Sequence, residues 1–549
     1  MICRCRPLRP DFRHGLKRWV ISKEQRNRQV AAQRSFEGRA LIILAKLAAL
    51  GGLFVALRSP AQQTPPSPLG AMVPHRYLVV FRNGGLPGVA QAYSRVGNTR
   101  VLRLYSSSNI AVVQSDSESD DSATLAALAA QPNVAIVVHD RIVTAHSIVA
   151  RPALSVLPPP NPYDTYYTST PQNWAVAQSG GYGANVPGGP AHGPWDITRG
   201  TGVRIAILDS GVDANHPDIA PNLALNLSEI DQTPNSGLPS PCDTGSPQDQ
   251  QGHGTWVASL AAAAAGPGTG LTIGVAPAAT LLNIKVIERL PDPSSTAPDI
   301  ATQCRTGQAG GLLSWVIQGI DDAVANHADV INLSLGTLVD LNTGEGAGLQ
   351  ALFNQATYAA TQAGAVVIAS AGNDGVELSN PRYVELPAQS RGVLAVVAST
   401  NPACAENLNR NAPCAAGAVT LPYYSNFGAA LHAIAAPGGS YPAGSSSATD
   451  IGLSGWIRGA CSSGIANTAD GTPSDSAHSF GCFNLGHVPY VQAMGTSASA
   501  ALVSGAAALV RAAHPNWSAD EVTAAMRSAA TPTASLPAAP VLNIGKLVQ

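Results

Sequence analysis

Short, mainly apolar runs alternate with longer periodic segments from about residue 195 onwards. Val203–Leu208, Leu281–Val286, Val330–Leu335, Ala365–Ser370 and Val393–Ala398 are short and rich in β-branched residues. Such runs suit strands buried on both faces of a parallel sheet. Between them, Leu312–Asn326 carries Leu312, Trp315, Val316, Gly319, Ile320 and Val324 at helical spacing. Leu349–Gln362 is a second helix, and Gly364 stands where a left-handed cap is expected. Ser518-Ala519-Asp520-Glu521 is a capping box opening a helix to about Ser528. Repetition of strand and helix predicts an α/β fold, a doubly wound, mainly parallel sheet with helices on both faces.

Upstream the period changes. Residues 75–146 form a small α+β pattern. Tyr77–Arg82, Asn109–Gln114 and Asn133–Val143 are strand candidates, and Gly88–Val96 and Ala123–Ala130 are helix candidates. Pro-rich stretches at 62–74 and 147–162 flank this unit. The expected organisation is a head over 1–61, a linker and small unit over 62–146, a Pro-rich linker over 147–162, and a large domain over 163–549.

Charge separates the head from the rest. Residues 1–46 hold 12 Lys/Arg and 3 Asp/Glu, whereas the remainder holds 20 and 31. An acidic body argues against nucleic acid as a partner. Ala40–Leu57 is apolar apart from Lys46, and its uninterrupted part, Leu47–Leu57, is 11 residues long. A membrane span needs about 20. Arg34, Arg39 and Lys46 precede that core, and Ser59-Pro60-Ala61 offers cleavage after Ala61. This reads as a secretory signal, so the protein is expected outside the cytoplasm, extracellular or periplasmic. Membrane contact follows only if the segment stays uncleaved as an anchor. Beyond it, Cys242, Cys304, Cys404, Cys414, Cys461 and Cys482 suggest disulfides. Pairing sequence neighbours would give Cys242–Cys304, Cys404–Cys414 and Cys461–Cys482.

Three segments carry the chemistry. Val203–Leu208 ends in Asp209-Ser210-Gly211, at the strand end where parallel sheets bind ligands. Gly252-His253-Gly254-Thr255 opens an Ala-rich helix, and Met494-Gly495-Thr496-Ser497-Ala498-Ser499 opens another. A serine hydroxyl needs a base, and His253 would serve. Asp209 would fix its tautomer and stabilise its passing charge. Asn373, after the Ala365–Ser370 strand, would turn its amide to a developing oxyanion.

In these motifs the chain resembles the subtilisin-like serine proteases, or subtilases, in precursor form. Asp209-Ser210-Gly211, His253-Gly254-Thr255 and Gly495-Thr496-Ser497 match the family's three active-site boxes. The resemblance implies a subtilisin-like fold over about 165–549, preceded by a ferredoxin-like inhibitory propeptide over 75–146. It implies a serine endopeptidase acting on proteins or peptides, with its own propeptide as partner and no cofactor in the chemistry. Leu333-Ser334-Leu335-Gly336 resembles the strand that pairs with substrate backbone, and Ala371-Gly372-Asn373 the oxyanion segment. Asp218 matches a family calcium ligand, although the loop supplying the others reads Gly266-Pro267-Gly268-Thr269-Gly270-Leu271. Ala498 and Ala501 stand where Met and Pro are usual, which could shift the serine helix. The alternative is therefore a catalytically weak peptide-binding protein. Two residues before Pro387, Glu385 falls on the floor of the family's primary specificity pocket. It would attract Lys or Arg there unless the insertion Val376–Arg382 shifts the register or Arg382 neutralises it, which would leave the broad apolar preference usual in the family.

Overall fold

The computed structural model describes residues 70–548 apart from 83–94, 147–174, 181–192, 231–239, 266–271, 402–418, 441–456, 471–481 and gaps of one to three residues. The head, the Pro-rich linker 147–162, Cys404 and Cys414 thus lie outside the described residues.

The N-terminal part contributes β1 (Met72–Phe81), β2 (Thr99–Tyr105), β3 (Ile110–Ser115), α1 (Asp121–Ala129) and β4 (Val134–Ala145). The strands are antiparallel in the order β4-β1-β3-β2. A ferredoxin-like unit needs a second helix between β1 and β2. That stretch is largely outside the described residues, and Arg95–Val96, expected to end a helix, is a short strand paired with β2. Alternation sets the layers. Tyr77, Val79 and Phe81 pack with Leu128 of α1, while Leu78, Val80, Ile110 and Val112 turn the other way, into the core of the larger part.

That larger part runs β5 (Arg204–Asp209), β6 (Leu223–Ser228), α2 (His253–Ala262), β7 (Thr280–Lys285), β8 (Ala309–Leu312), α3 (Leu313–Ala325), β9 (Val330–Leu333), β10 (Leu335–Asp340), α4 (Gly344–Gln362), β11 (Val366–Ser370), β12 (Tyr383–Leu386), β13 (Val393–Ser399), β14 (Ile434–Pro437), α5 (Thr496–Ala513), α6 (Ala519–Ala529), β15 (Thr531–Thr533) and β16 (Leu536–Val541). Its main sheet has the order β6-β7-β5-β9-β11-β13-β14-β16-β15, with every neighbouring pair parallel except β15 and β16. Ile205 and Ile207 face α2 and α5, and Ala206 and Leu208 face α3 and α4. Both faces are covered, which explains why these strands read as predominantly apolar runs. Helix α5 is apolar on every side because it is packed inside. The capping box at Ser518 and Glu521 forms as expected. Disulfides join Cys242 to Cys304 and Cys461 to Cys482.

One expected strand divides. Val330–Leu335 splits at Ser334, with β9 in the main sheet and β10 in a separate antiparallel one. The partner that draws β10 away is β4. Its first half pairs with β1, Ile142–Thr144 pairs with β8, and Thr144 and Ala145 pair with Gly336 and Leu335 of β10. The end of β4 is thus an inner strand between β8 and β10. Upstream, Asp140 anchors it. Its buried carboxylate accepts from the Ser314 N–H at the start of α3 (3.0 Å) and from Arg76 Nε (2.8 Å).

Candidate active site

The main sheet changes direction of travel between β5 and β9, since β6 and β7 extend one side and β11, β13 and β14 the other. Ligands gather outside the carboxyl ends of strands at such a point. Asp209 ends β5, Ser334 follows β9, and Ala371-Gly372-Asn373 follows β11.

His253 is the first residue of α2. Its Nδ1 lies 2.7 Å from Asp209 Oδ1, and both side chains are fully buried. An acceptor there puts the proton on Nδ1 and makes Nε2 the basic nitrogen. Gly254 permits this approach, because a Cβ on it would meet the Gly211 carbonyl oxygen at 2.1 Å. Sequence reasoning missed Asp249. This buried carboxylate accepts from the N–H groups of Gln251 (3.0 Å), Gly252 (2.7 Å) and Thr255 (3.0 Å) and from Ser210 Oγ (3.0 Å). It satisfies the free N–H groups at the start of α2 and ties them to the Asp209 turn. Burial pushes its carboxyl up in spite of these bonds. The available signal was an Asp four residues before the histidine that opens an apolar helix.

Ser497 is the second residue of α5, which packs against α2. Ala498 and Ala501 are buried, and the helix starts at Thr496 with them in place. Asn373 Oδ1 accepts from the Thr496 N–H (3.0 Å) and hydroxyl (2.9 Å). This fixes the amide orientation. Its Nδ2 is buried with no hydrogen-bond partner, a donor that calls for an acceptor.

The cleft beside Ser497 is filled by the end of β4. The His146 N–H donates to the Ser334 carbonyl (3.1 Å), continuing the ladder made by Gly336 and Leu335. The His146 carbonyl oxygen accepts from the Ser497 N–H (3.3 Å) and from the Ser497 hydroxyl. Ser497 Oγ also lies 3.2 Å from the Ser334 carbonyl oxygen. The His146 ring enters a pocket lined by Ser370, Gly336 and Glu385. Gly372 supports its wall, with its carbonyl accepting from the Asn426 N–H (3.0 Å), and the Ala371 N–H donates to Val396 (2.9 Å). Glu385 is fully buried with Oε1 3.3 Å from His146 Nε2. Burial opposes charge on the imidazole, yet Glu385, with Asp374 beyond it, raises its pKa above the ordinary value. Burial likewise raises Glu385 to about 7, against the pull of His146. Arg382 does not neutralise Glu385. Its Nε lies 2.9 Å from each Asp340 carboxylate oxygen.

Asp218 lies elsewhere, buried, with Oδ2 accepting from the Tyr490 hydroxyl (3.1 Å). Among the described residues no group of three His, Cys, Asp or Glu side chains assembles around a cation position. Calcium at Asp218 would need oxygens from residues 266–271, which lie outside the described residues.

Residues 200–543 match the family described as Peptidase_S8, Subtilase family. Thermitase of Thermoactinomyces vulgaris is 34% identical over 190 residues, which is 34% of this chain and about half, 54%, of thermitase. Subtilisin NAT of Bacillus subtilis subsp. natto is 30% identical over 355 residues, 65% of this chain and 67% of that protein. The solved structure of the epidermin leader peptide processing serine protease of Staphylococcus aureus has the same fold. Its TM-score is 0.57 at 19% identity, covering 86% of this chain and 97% of that one.

Proposed function

The chain belongs to the subtilase family of serine endopeptidases, and from its site we propose that it hydrolyses peptide bonds in proteins through an acyl-enzyme on Ser497. Ser497 Oγ attacks the carbonyl carbon while His253 Nε2 takes the hydroxyl proton. Asp209 holds the ring and stabilises the imidazolium. The Ser497 N–H and Asn373 Nδ2 receive the oxyanion, and a donor of that kind is worth about 10²–10³ in kcat. His253 then protonates the leaving amine, and water repeats the cycle to free the acid. The observation that carries this reading is the buried, partnerless Asn373 Nδ2, held by Thr496 next to a serine that already has a carbonyl oxygen against it.

The same reading extends to the whole chain. It is an exported precursor, residues 75–146 inhibit by occupying the cleft, and the active site cuts its own chain between His146 and Pro162. The seating of β4 between β8 and β10 supports this. The experiment is casein hydrolysis by the purified protein beside Ser497→Ala. Turnover by wild type alone is expected. Peptide binding without turnover by either protein would identify a peptide-binding protein instead.

A further inference from the structure

Resting on the peptidase reading, we infer that the pocket beside Ser497 is built for a histidine before the scissile bond, and that the first bond cut is the protein's own His146–Ser147. The backbone argument fixes the position. His146 directly follows the inner strand, its N–H is held by Ser334, and its carbonyl oxygen lies on the Ser497 N–H and hydroxyl. The bond attacked is therefore the one following His146. Ser497 Oγ bonds to the His146 carbonyl carbon, the bond to the Ser147 nitrogen breaks, and the amine leaves with the proton held by His253. Water then cleaves the ester, leaving a His146 carboxylate and a restored serine hydroxyl.

The pocket argument fixes the side chain. His146 is 8% exposed, and each ring nitrogen has a partner. Nδ1 lies 2.8 Å from Ser370 Oγ, and Nε2 lies 3.3 Å from Glu385 Oε1. The Ser370 hydroxyl is directed to the Leu333 carbonyl oxygen at 3.5 Å, which leaves its oxygen to accept from Nδ1. An acceptor at Nδ1 and a carboxylate oxygen at ion-pair distance from Nε2 suit an imidazolium. Gly336 makes room for it, since a Cβ there would lie 2.6 Å from the ring Cε1 and 2.7 Å from Glu385 Oε1. A phenylalanine would leave the Glu385 carboxylate buried and unmatched, because Arg382 is engaged by Asp340. Lysine and arginine carry their charge further from the backbone than Nε2, and Glu385 meets the ring before that depth. The charged groups facing the ring are Glu385 on β12 and Asp374 in the loop after β11, with Asn426 Nδ2 3.4 Å from each carboxylate.

The test has two arms. In the first, the full-length precursor matures in a protease-free host and the earliest fragments are weighed. The N-terminal fragment should end at His146, and one ending elsewhere overturns the assignment. In the second, kcat/KM is compared on peptides identical except for His, Phe or Arg before the reporter amide. Wild type should favour His over Phe and over Arg by at least about tenfold at pH 7. Glu385→Gln should collapse the His/Phe ratio. The pair needs one proton between its two members, so in wild type the ratio should peak near neutrality and fall on both sides. Taking a ratio cancels any pH effect common to both substrates. A His/Phe ratio below one, or one flat with pH, overturns the inference, and the wild-type profile decides even if Glu385→Gln does not fold. A wild type that cuts casein with no His preference overturns this inference alone. One that cuts neither casein nor peptides overturns the peptidase reading with it.

Discussion

The carbonyl oxygen of His146 rests on the amide and hydroxyl of Ser497, a residue 351 positions further along the chain. An inner strand of one sheet therefore ends on the first turn of a helix belonging to another. Removing the hydroxyl keeps the Ser497 N–H on that carbonyl but takes away the proposed nucleophile. Ser497→Ala should thus accumulate as an uncut chain retaining residues 75–146, seen on a denaturing gel. Maturation of this variant in a protease-free host would show that another enzyme makes the cut.

Asn373→Leu removes the buried donor and keeps the side-chain volume close. It should lower kcat by about a hundredfold or more while KM moves little, because the bond it makes strengthens only as charge develops. Steady-state kinetics on a small peptide amide measures both. A loss in kcat smaller than about tenfold would remove Asn373 from that role.

Asp140 joins the N-terminal sheet to α3 through Ser314 and pairs with Arg76, and both Asp140 and Arg76 are buried. Asp140→Ala leaves a buried guanidinium without its carboxylate and uncaps the helix. In the full-length Ser497→Ala chain it should cost about 3–5 kcal/mol, read as a lowered urea midpoint. Asp140→Asn should cost less, since it keeps an acceptor for the Ser314 N–H.

Thioether oxidation beside a nucleophile would add a polar oxygen in a tight site. Ala498 offers none, and Met494 and Met526, the methionines of the C-terminal part, are 0% exposed. Activity should survive dilute peroxide that oxidises Met72, which is 42% exposed in the full chain. Mass spectrometry of the treated protein, with a parallel activity assay, checks both halves.

The central strands were legible because burial on both faces makes β5, β7, β11 and β13 into apolar runs, and the three chemical boxes lie at element boundaries. Strand β2 was not, because a register irregularity between Val101 and Arg103 interrupts its alternation. Strand β8 reads Ala-Gly-Gly-Leu and has little strand propensity of its own; it exists by pairing with β4 and with Glu288–Arg289. Arg382 and Glu385 invite pairing in the sequence. Three positions apart on an extended chain, they point to opposite faces, and each finds a different partner. The occupant of the pocket was legible only as a charge. That it is a histidine from far upstream depends on the path of β4.

Because β4 is held by β1, β8 and β10 together, severing the chain after His146 would remove one covalent bond and no ladder hydrogen bond. The nicked molecule would keep the hydrodynamic size of the intact precursor, and gel filtration would not tell them apart. The moment that matters for a waiting substrate is then the later one, when the strand peels out of the cleft. Bond cleavage and onset of activity should run on two separate clocks, the first independent of protein concentration.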